Sequence, residues 1–203
     1  FKHAKIFHFG SISLGSEKSK AATLKALEYA QKHNLLISYD PNLRLSLWDD
    51  ENAAKELINL GFDYAHVVKI SEEEFEFITG AKTPEECAEY ILARGPRIVI
   101  VTLGEKGCYY SDGARSGYIP GFKADVLDTT GAGDAFVGYM LSKLAKRIEK
   151  SRPLKPELDE DLIEALVLAN GAGAFATMKI GAIPSLPTEE EVQDFVRSRK
   201  NKG

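Results

Sequence analysis

The feature that most constrains the fold is the run Ile98-Val99-Ile100-Val101, four β-branched residues in succession between Arg97 and Thr102. Such side chains are stiff at χ1 and suit a pleated strand better than a helix. A strand with one wet face alternates apolar and polar residues. A strand with an unbroken apolar centre, as in Arg97 to Leu103, suits a sheet with both faces covered, the situation inside a mostly parallel sheet with helices on either side.

The preceding segments supply that sheet. Lys5 to Phe9, Leu35 to Tyr39 and Tyr64 to Ile70 read as strands, the first ended by Gly10-Ser11 and the second by Asp40-Pro41-Asn42. Helical spacing lies between them: Ser19 to His33 through Ala22, Leu24, Leu27 and Ala30, then Glu51 to Leu60 with Gly61 as C-cap. Ser71 to Thr79 is a short helix closed by Gly80. Thr83-Pro84-Glu85-Glu86 opens another that runs to Arg94, with threonine cap, proline at N1 and glutamate at N3. Cys108 to Ser111 and Ser116 to Pro120 form two shorter strands about an Asp112-Gly113 turn. A proline-punctuated loop is expected from Arg152 to Pro156, followed by helices over Asp161 to Thr177 and Thr188 to Arg199. Strand and helix alternate through the first half, so the expected class is α/β, a layered sandwich with a mostly parallel central sheet.

One stretch carries chemistry: Asp128-Thr129-Thr130-Gly131-Ala132-Gly133-Asp134-Ala135-Phe136. Its small residues form a turn, and from Ala135 onward Phe136, Val137, Met140, Leu141 and Leu144 recur at helical spacing. A glycine turn entering a helix leaves backbone N–H groups unpaired at the positive end of the helix dipole, a ready site for phosphate. Asp134 sets a carboxylate beside that site. It either stabilises the helix start or handles an incoming hydroxyl, and the second role is the logic of phosphoryl transfer.

Other segments have a structural and a chemical reading side by side. Asn42 and Arg44 follow a strand at its carboxyl end, where open α/β sheets hold ligands, although Asp-Pro-Asn is also an ordinary turn. Ser71 to Glu74 is a capping box. Thr102-Leu103-Gly104-Glu105-Lys106-Gly107 is a glycine-bearing turn after the most apolar strand, and no Walker A pattern occurs anywhere. Asn170-Gly171-Ala172-Gly173-Ala174 keeps two glycines inside a helix, each costing about 1 kcal/mol against alanine, for tight packing or for a flat ligand near the backbone.

The run Asp128 to Phe136 closely resembles the C-terminal signature of the PfkB, or ribokinase-like, carbohydrate kinases. The resemblance implies a ribokinase-like three-layer α/β/α sandwich and ATP-dependent phosphorylation of a sugar hydroxyl. Fructose is the first candidate acceptor, because Asp40 to Trp48 looks like the corresponding segment of fructokinases and related keto-sugar kinases. Ribose, 2-keto-3-deoxygluconate and sugar phosphates stay open, as does a non-catalytic, nucleotide-binding regulatory relative. In this reading Asp134 accepts the hydroxyl proton while the amides of Gly131, Ala132 and Gly133 stabilise the transferring phosphoryl. Thr102, Gly104, Gly107, Asn170 and Gly173 fall on the family's nucleotide segments, and Asn42 and Arg44 on its substrate side. Glu74 matches the family's Asn-x-x-Glu acid, which organises Mg²⁺ through water; Ser71 stands here in place of the asparagine. Asp128, the Thr130 carbonyl and the Gly181 to Ser185 loop resemble a shell for a hard monovalent cation such as K⁺. The resemblance covers only the C-terminal part of the family's fold. The expectation is therefore that the N-terminal strands and lid, with most sugar-binding residues, are absent, and that homodimerisation belongs to the full-length protein.

Bulk properties fit this class. A length of 203 residues suits one sizeable domain, read as residues 1–203, and 44% hydrophobic with 28% charged residues is ordinary for a globular protein. A net charge of −4 without basic runs gives no footprint for nucleic acid or an acidic membrane. The most apolar stretch, Leu162 to Met178, is interrupted by Glu164 and Asn170, so no membrane span is expected. No signal peptide is visible, and Phe1 leads to the expectation that the native N-terminus is missing. Cys87 and Cys108 lack metal-ligand spacing and read as free thiols of a reducing, cytoplasmic setting; the four histidines read as structural.

Overall fold

A computed structural model describes residues 1–48, 50–149 and 158–200; the loop expected from Arg152 to Pro156 lies outside these described residues. Four parallel strands come first, β1 (Ile6–Gly10), β2 (Leu36–Asp40), β3 (Val67–Ser71) and β4 (Ile98–Thr102). An antiparallel pair, β5 (Gly107–Ser111) and β6 (Ser116–Pro120), completes a sheet whose spatial order is the chain order. Because every crossover steps in the same direction, right-handed connections place all the crossover helices on one face. These are α1 (Glu17–Lys32), α2 (Glu51–Phe62), α3 (Glu72–Thr79) and α4 (Pro84–Leu92). The opposite face is covered by later elements, α5 (Ala132–Glu149), α6 (Glu160–Ala176) and α8 (Glu189–Lys200), with the single turn α7 (Ala182–Ser185) between the last two.

The apolar run behaves as its composition requires. Val99 and Val101 join Ile37, Tyr39, Val68 and Ile70 in the core beneath α1 to α4. Ile98 and Ile100 join Leu36 and Val67 in the core beneath α5 and α6. All four residues of the run are fully buried, each such side chain contributing about 1.5–3 kcal/mol. Local signals set the helix ends: the Thr83 side chain accepts from the Glu86 N–H, Asp159 caps α6, and Gly80 closes α3 at φ 78°. In the β5–β6 turn, Asp112 Oδ1 accepts from the N–H groups of Ala114 and Arg115, with Gly113 at φ 86°.

Gly61 differs from its expected role as a C-cap. Helix α2 continues through it to Phe62, and a Cβ there would sit 2.4 Å from Cζ of Tyr39. Glycine is required because the Tyr39 ring lies flat against the helix while its hydroxyl donates to the Ile58 carbonyl at 3.1 Å. Cys87 and Cys108 are free and buried, one in each core, and burial pushes both thiols up to about 12. No helix among the described residues is long and apolar enough to cross a membrane.

His66 is structural in a specific way. Its N–H donates to the Ile37 carbonyl at 2.8 Å, and its Nδ1 accepts from the Ile37 N–H at 2.9 Å. The imidazole thus supplies the acceptor that a backbone carbonyl supplies elsewhere in the β2–β3 ladder. Burial, with the Arg97 charge behind it, lowers the pKa of His66. The unfolded chain therefore takes up this proton first, and stability present above about pH 6.5 is lost as pH falls through the lowered folded value. The variant His66→Asn places an oxygen acceptor near Nδ1 and cannot take up the proton. Denaturant titrations from pH 7 to pH 5 should show wild type losing stability relative to this variant, by no more than about 2 kcal/mol, the ceiling for one proton over that window. Parallel stability curves would rule out the role assigned to Nδ1.

Candidate active site

The carboxyl ends of the parallel strands meet along one edge of the sheet, and polar side chains replace apolar ones there. Asp40 ends β2 and Lys69 lies two residues before the end of β3. They pair at 3.2 Å with only 8% of each side chain exposed. Burial pushes Asp40 up to about 6 against the opposing pull of the Lys69 ammonium. Asp40 Oδ1 also accepts from the Asn42 N–H at 3.2 Å, holding Asn42 in the left-handed region at φ 46°. Arg44 is exposed and donates to the Leu43 carbonyl at 2.9 Å. Glu74, buried in the first turn of α3, accepts from the Ser71 N–H and hydroxyl with one oxygen and from the Leu43 N–H with the other. Ser71 pairs in register with Thr102, so the ends of β3 and β4 lie side by side.

The signature turn sits above this edge. Gly131 has φ 86°, and a Cβ there would lie 3.0 Å from the Ala182 Cα, so both conformation and space require glycine. Helix α5 begins at Ala132, earlier than the expected Ala135, because the Ala135 N–H already bonds the Gly131 carbonyl at 2.8 Å. Gly133 and Asp134 therefore belong to the first turn, where the helical ladder gives their N–H groups no partner. The Ala132 N–H donates to the Thr129 carbonyl at 3.2 Å and is partly spent. Beneath the turn, a Cβ on Gly133 would stand 3.5 Å from the Lys69 Nζ. Asp134 is exposed.

His8, on β1, faces the same region and bonds Ser38 Oγ through Nδ1 at 3.2 Å. Loss of hydration about the ring lowers its pKa, while the Asp134 carboxylate raises it and Lys69 lowers it. Lys69 escaped the sequence reading, which took His8 with the other histidines as structural. The signal for Lys69 was a charge within the otherwise apolar Val67 to Ile70 segment.

A second group surrounds Asp128. Its two oxygens accept from the Thr130 and Gly181 N–H groups, both at 2.9 Å, and these bonds, Gly181 first, lower its pKa. The N–H groups of Leu127 and Asp128 both reach the Thr177 carbonyl. Ser185 is fully buried with its hydroxyl donated to the Ala182 carbonyl. Around this junction stand exposed apolar side chains, Val126, Leu127 (68%), Ile180 and Ile183 (82%). Nothing in their local sequence distinguished them from core residues.

The predicted nucleotide residues divide. Thr102 ends β4, and Gly104, at φ 58°, has open space where a Cβ would be. A Cβ on Gly107 would meet the Ile119 carbonyl at 2.0 Å, so close backbone packing accounts for that glycine. Gly173 lies against the Ala132 carbonyl on α5, and Gly171 against Val196 on α8. The buried Asn170 amide donates to the Ile119 and Pro120 carbonyls at 3.3 and 3.4 Å. Packing against β6, α5 and α8 thus accounts for the Asn170 to Gly173 segment as well as a ligand would. Among the described residues, no three His, Cys, Asp or Glu side chains cluster to hold a metal ion.

The chain is 45% identical over 197 residues to probable fructokinase-4 from Arabidopsis thaliana, covering 97% of itself but 59% of that relative. It is 42% identical to putative fructokinase-8 from the same plant, of which it covers 91%. A double mutant of fructokinase from Vibrio cholerae O395, solved with fructose, ADP and potassium ion, superposes with a TM-score of 0.86 at 31% identity. That superposition covers 97% of this chain and 61% of the other. The chain thus spans less than two thirds of the length of most such relatives. The fold is ribokinase-like, a three-layer α/β/α arrangement about a mostly parallel sheet. A family model for the pfkB carbohydrate kinases matches residues 1–189, and the chain belongs to that family.

Proposed function

We propose that this chain carries the phosphoryl-transfer centre of an ATP-dependent sugar kinase, most specifically a fructokinase. One observation carries the reading: the Asp134 carboxylate stands in the first turn of α5, directly after Gly131-Ala132-Gly133, with the Lys69 ammonium beneath. The γ-phosphate of MgATP lies at the Gly133 end of the turn, held by first-turn amides and by the charge of Lys69. The sugar hydroxyl oxygen attacks the γ-phosphorus, the bond to the ADP oxygen breaks, and the hydroxyl proton passes to Asp134. Asn42 and Arg44 contact the sugar or the transferring phosphate, Arg44 with its exposed guanidinium.

The divalent ion arrives on the nucleotide phosphates, as part of the substrate. The exposed apolar group of Val126, Leu127, Ile180 and Ile183 suits one face of the nucleotide base, and Thr102 and Gly104, at the end of β4, are its other proposed contacts. Asn170, Gly173 and Gly107 act as its scaffold. A hard monovalent cation fits beside Asp128, using its carboxylate with the Thr130, Gly181 and Ser185 carbonyls. The fructokinase assignment rests on the relatives' identities, and residues 1–203 act as one catalytic unit in a cytoplasmic enzyme.

Two measurements test the centre, both on the full-length protein. Asp134→Asn should keep nucleotide affinity while fructose phosphorylation with ATP falls by several orders of magnitude, about the loss seen for essential catalytic groups. Turnover near that of wild type would remove Asp134 from the mechanism.

For the ion pair, Lys69→Met alone should cost about 3–5 kcal/mol of stability, because it strands Asp40 in the sheet. The double variant Asp40→Asn, Lys69→Met should recover most of that stability, yet kcat should remain down by about 10²–10³. If the stable double variant transfers phosphate at the wild-type rate, Lys69 is structural only.

A further inference from the structure

The family resemblance assigns Glu74 to Mg²⁺ through water, but the carboxylate is already engaged. Oε2 accepts from the Ser71 N–H at 2.9 Å and from the Ser71 hydroxyl at 2.6 Å, and Oε1 accepts from the Leu43 N–H across 31 residues of sequence. A carboxylate offers about four acceptor sites. Three are filled by fixed donors within the protein, and the side chain is buried. Ser71, standing where the family pattern has asparagine, contributes two of the three donors.

The far end of this clamp is the segment after β2. Leu43 lies between Asn42, held left-handed at φ 46° by Asp40, and Arg44, whose guanidinium bonds the Leu43 carbonyl. Asp40 thus fixes the segment at one end through Asn42 and Glu74 fixes it at the other through Leu43. The left-handed conformation is uncommon for a residue other than glycine and persists only where its surroundings enforce it.

We propose that Glu74 is a positioning residue for the Asn42–Arg44 segment, acting through the Leu43 amide rather than through the divalent ion. This rests on the kinase reading for what Asn42 and Arg44 do, but the clamp itself can be observed without turnover. Replacing the carboxylate with an amide, Glu74→Gln, sets an NH₂ group against donors that now face oxygen.

In the full-length protein, Glu74→Gln should speed hydrogen exchange in the peptide spanning residues 40–47 by about tenfold. It should lower kcat for MgATP-dependent fructose phosphorylation by about a hundredfold, with KM for MgATP within about threefold of wild type. The Mg²⁺ concentration giving half-maximal rate should not move. Because Glu74 acts through the same segment, its loss and that of Arg44→Ala should be strongly non-additive.

Unchanged exchange, or a raised Mg²⁺ requirement with the rate restored at high Mg²⁺, would overturn the proposal in favour of a metal-linked role. If Glu74→Gln does not fold, Ser71→Ala decides. It keeps the charge and removes one donor, so faster exchange at 40–47 supports the clamp and wild-type exchange overturns it. A wild-type protein that phosphorylates no sugar would defeat the kinase reading while leaving the exchange result intact.

Discussion

The buried pair of Asp40 and Lys69 is the interaction on which the site depends. Each charge lies in a strand with apolar side chains on both faces, and an isolated charge there would be driven neutral or would unfold the sheet. Pairing at 3.2 Å lets β2 and β3 keep charged side chains at their carboxyl ends. It also fixes where the sheet changes character. On the α5 side, Leu36 and Val67 belong to the core, whereas Ser38, Asp40 and Lys69 form a polar patch beneath the signature turn. The turn fits over that patch because Gly133 has no Cβ to meet the ammonium.

From this centre the site is assembled by bonds between distant segments. Lys69 reaches Asp40 across 29 residues, Glu74 reaches Leu43 across 31, and Gly181 reaches Asp128 across 53. Two of these three join a side chain to a backbone amide, and each fixes a loop that regular secondary structure leaves without partners. A parallel sheet delivers its strand ends to one edge but does not shape the loops beyond them. Carboxylates do that here, because a charged acceptor holds a backbone N–H more strongly than a neutral one.

What could be read in the sequence was whatever local chemistry decides. Ile98 to Val101 announced a strand covered on both sides, Thr83-Pro84 announced the start of α4, and Asp112-Gly113 announced the hairpin. The glycine turn before Asp134 was legible because helix termini follow local rules, although α5 starts at Ala132 rather than Ala135. Long-range effects were not legible. Gly61 resembled a C-cap because its real partner, the Tyr39 ring, lies 22 positions earlier in the chain. Asn170 and Gly173 carried a ligand reading that packing against β6 and α5 accounts for equally well. Lys69 stood in plain view within an apolar strand, yet only the folded sheet showed Asp40 as its partner and Gly133 above it.

Lys69 also answers a difficulty in the proposal that sets Asp134 beside a phosphate site. Two unit charges 4 Å apart at an effective dielectric of about 20 interact by about 4 kcal/mol, so an acid next to an anion opposes binding unless something offsets it. The dipole of α5 offsets part, since a helix N-terminus favours negative charge by about 0.3–1 kcal/mol, up to about 2 where partly buried. The remainder falls to a nearby cation, and Lys69 stands close beneath the turn. Its charge is shared with Asp40, whose carboxyl burial pushes up to about 6, so the pair is not a fixed neutral unit. An anion arriving at Gly133 competes with Asp40 for the ammonium, and a neutral Asp40 concedes it more readily than a charged one. On the proposed kinase reading, phosphate at this turn would draw on the same ammonium that pairs with Asp40.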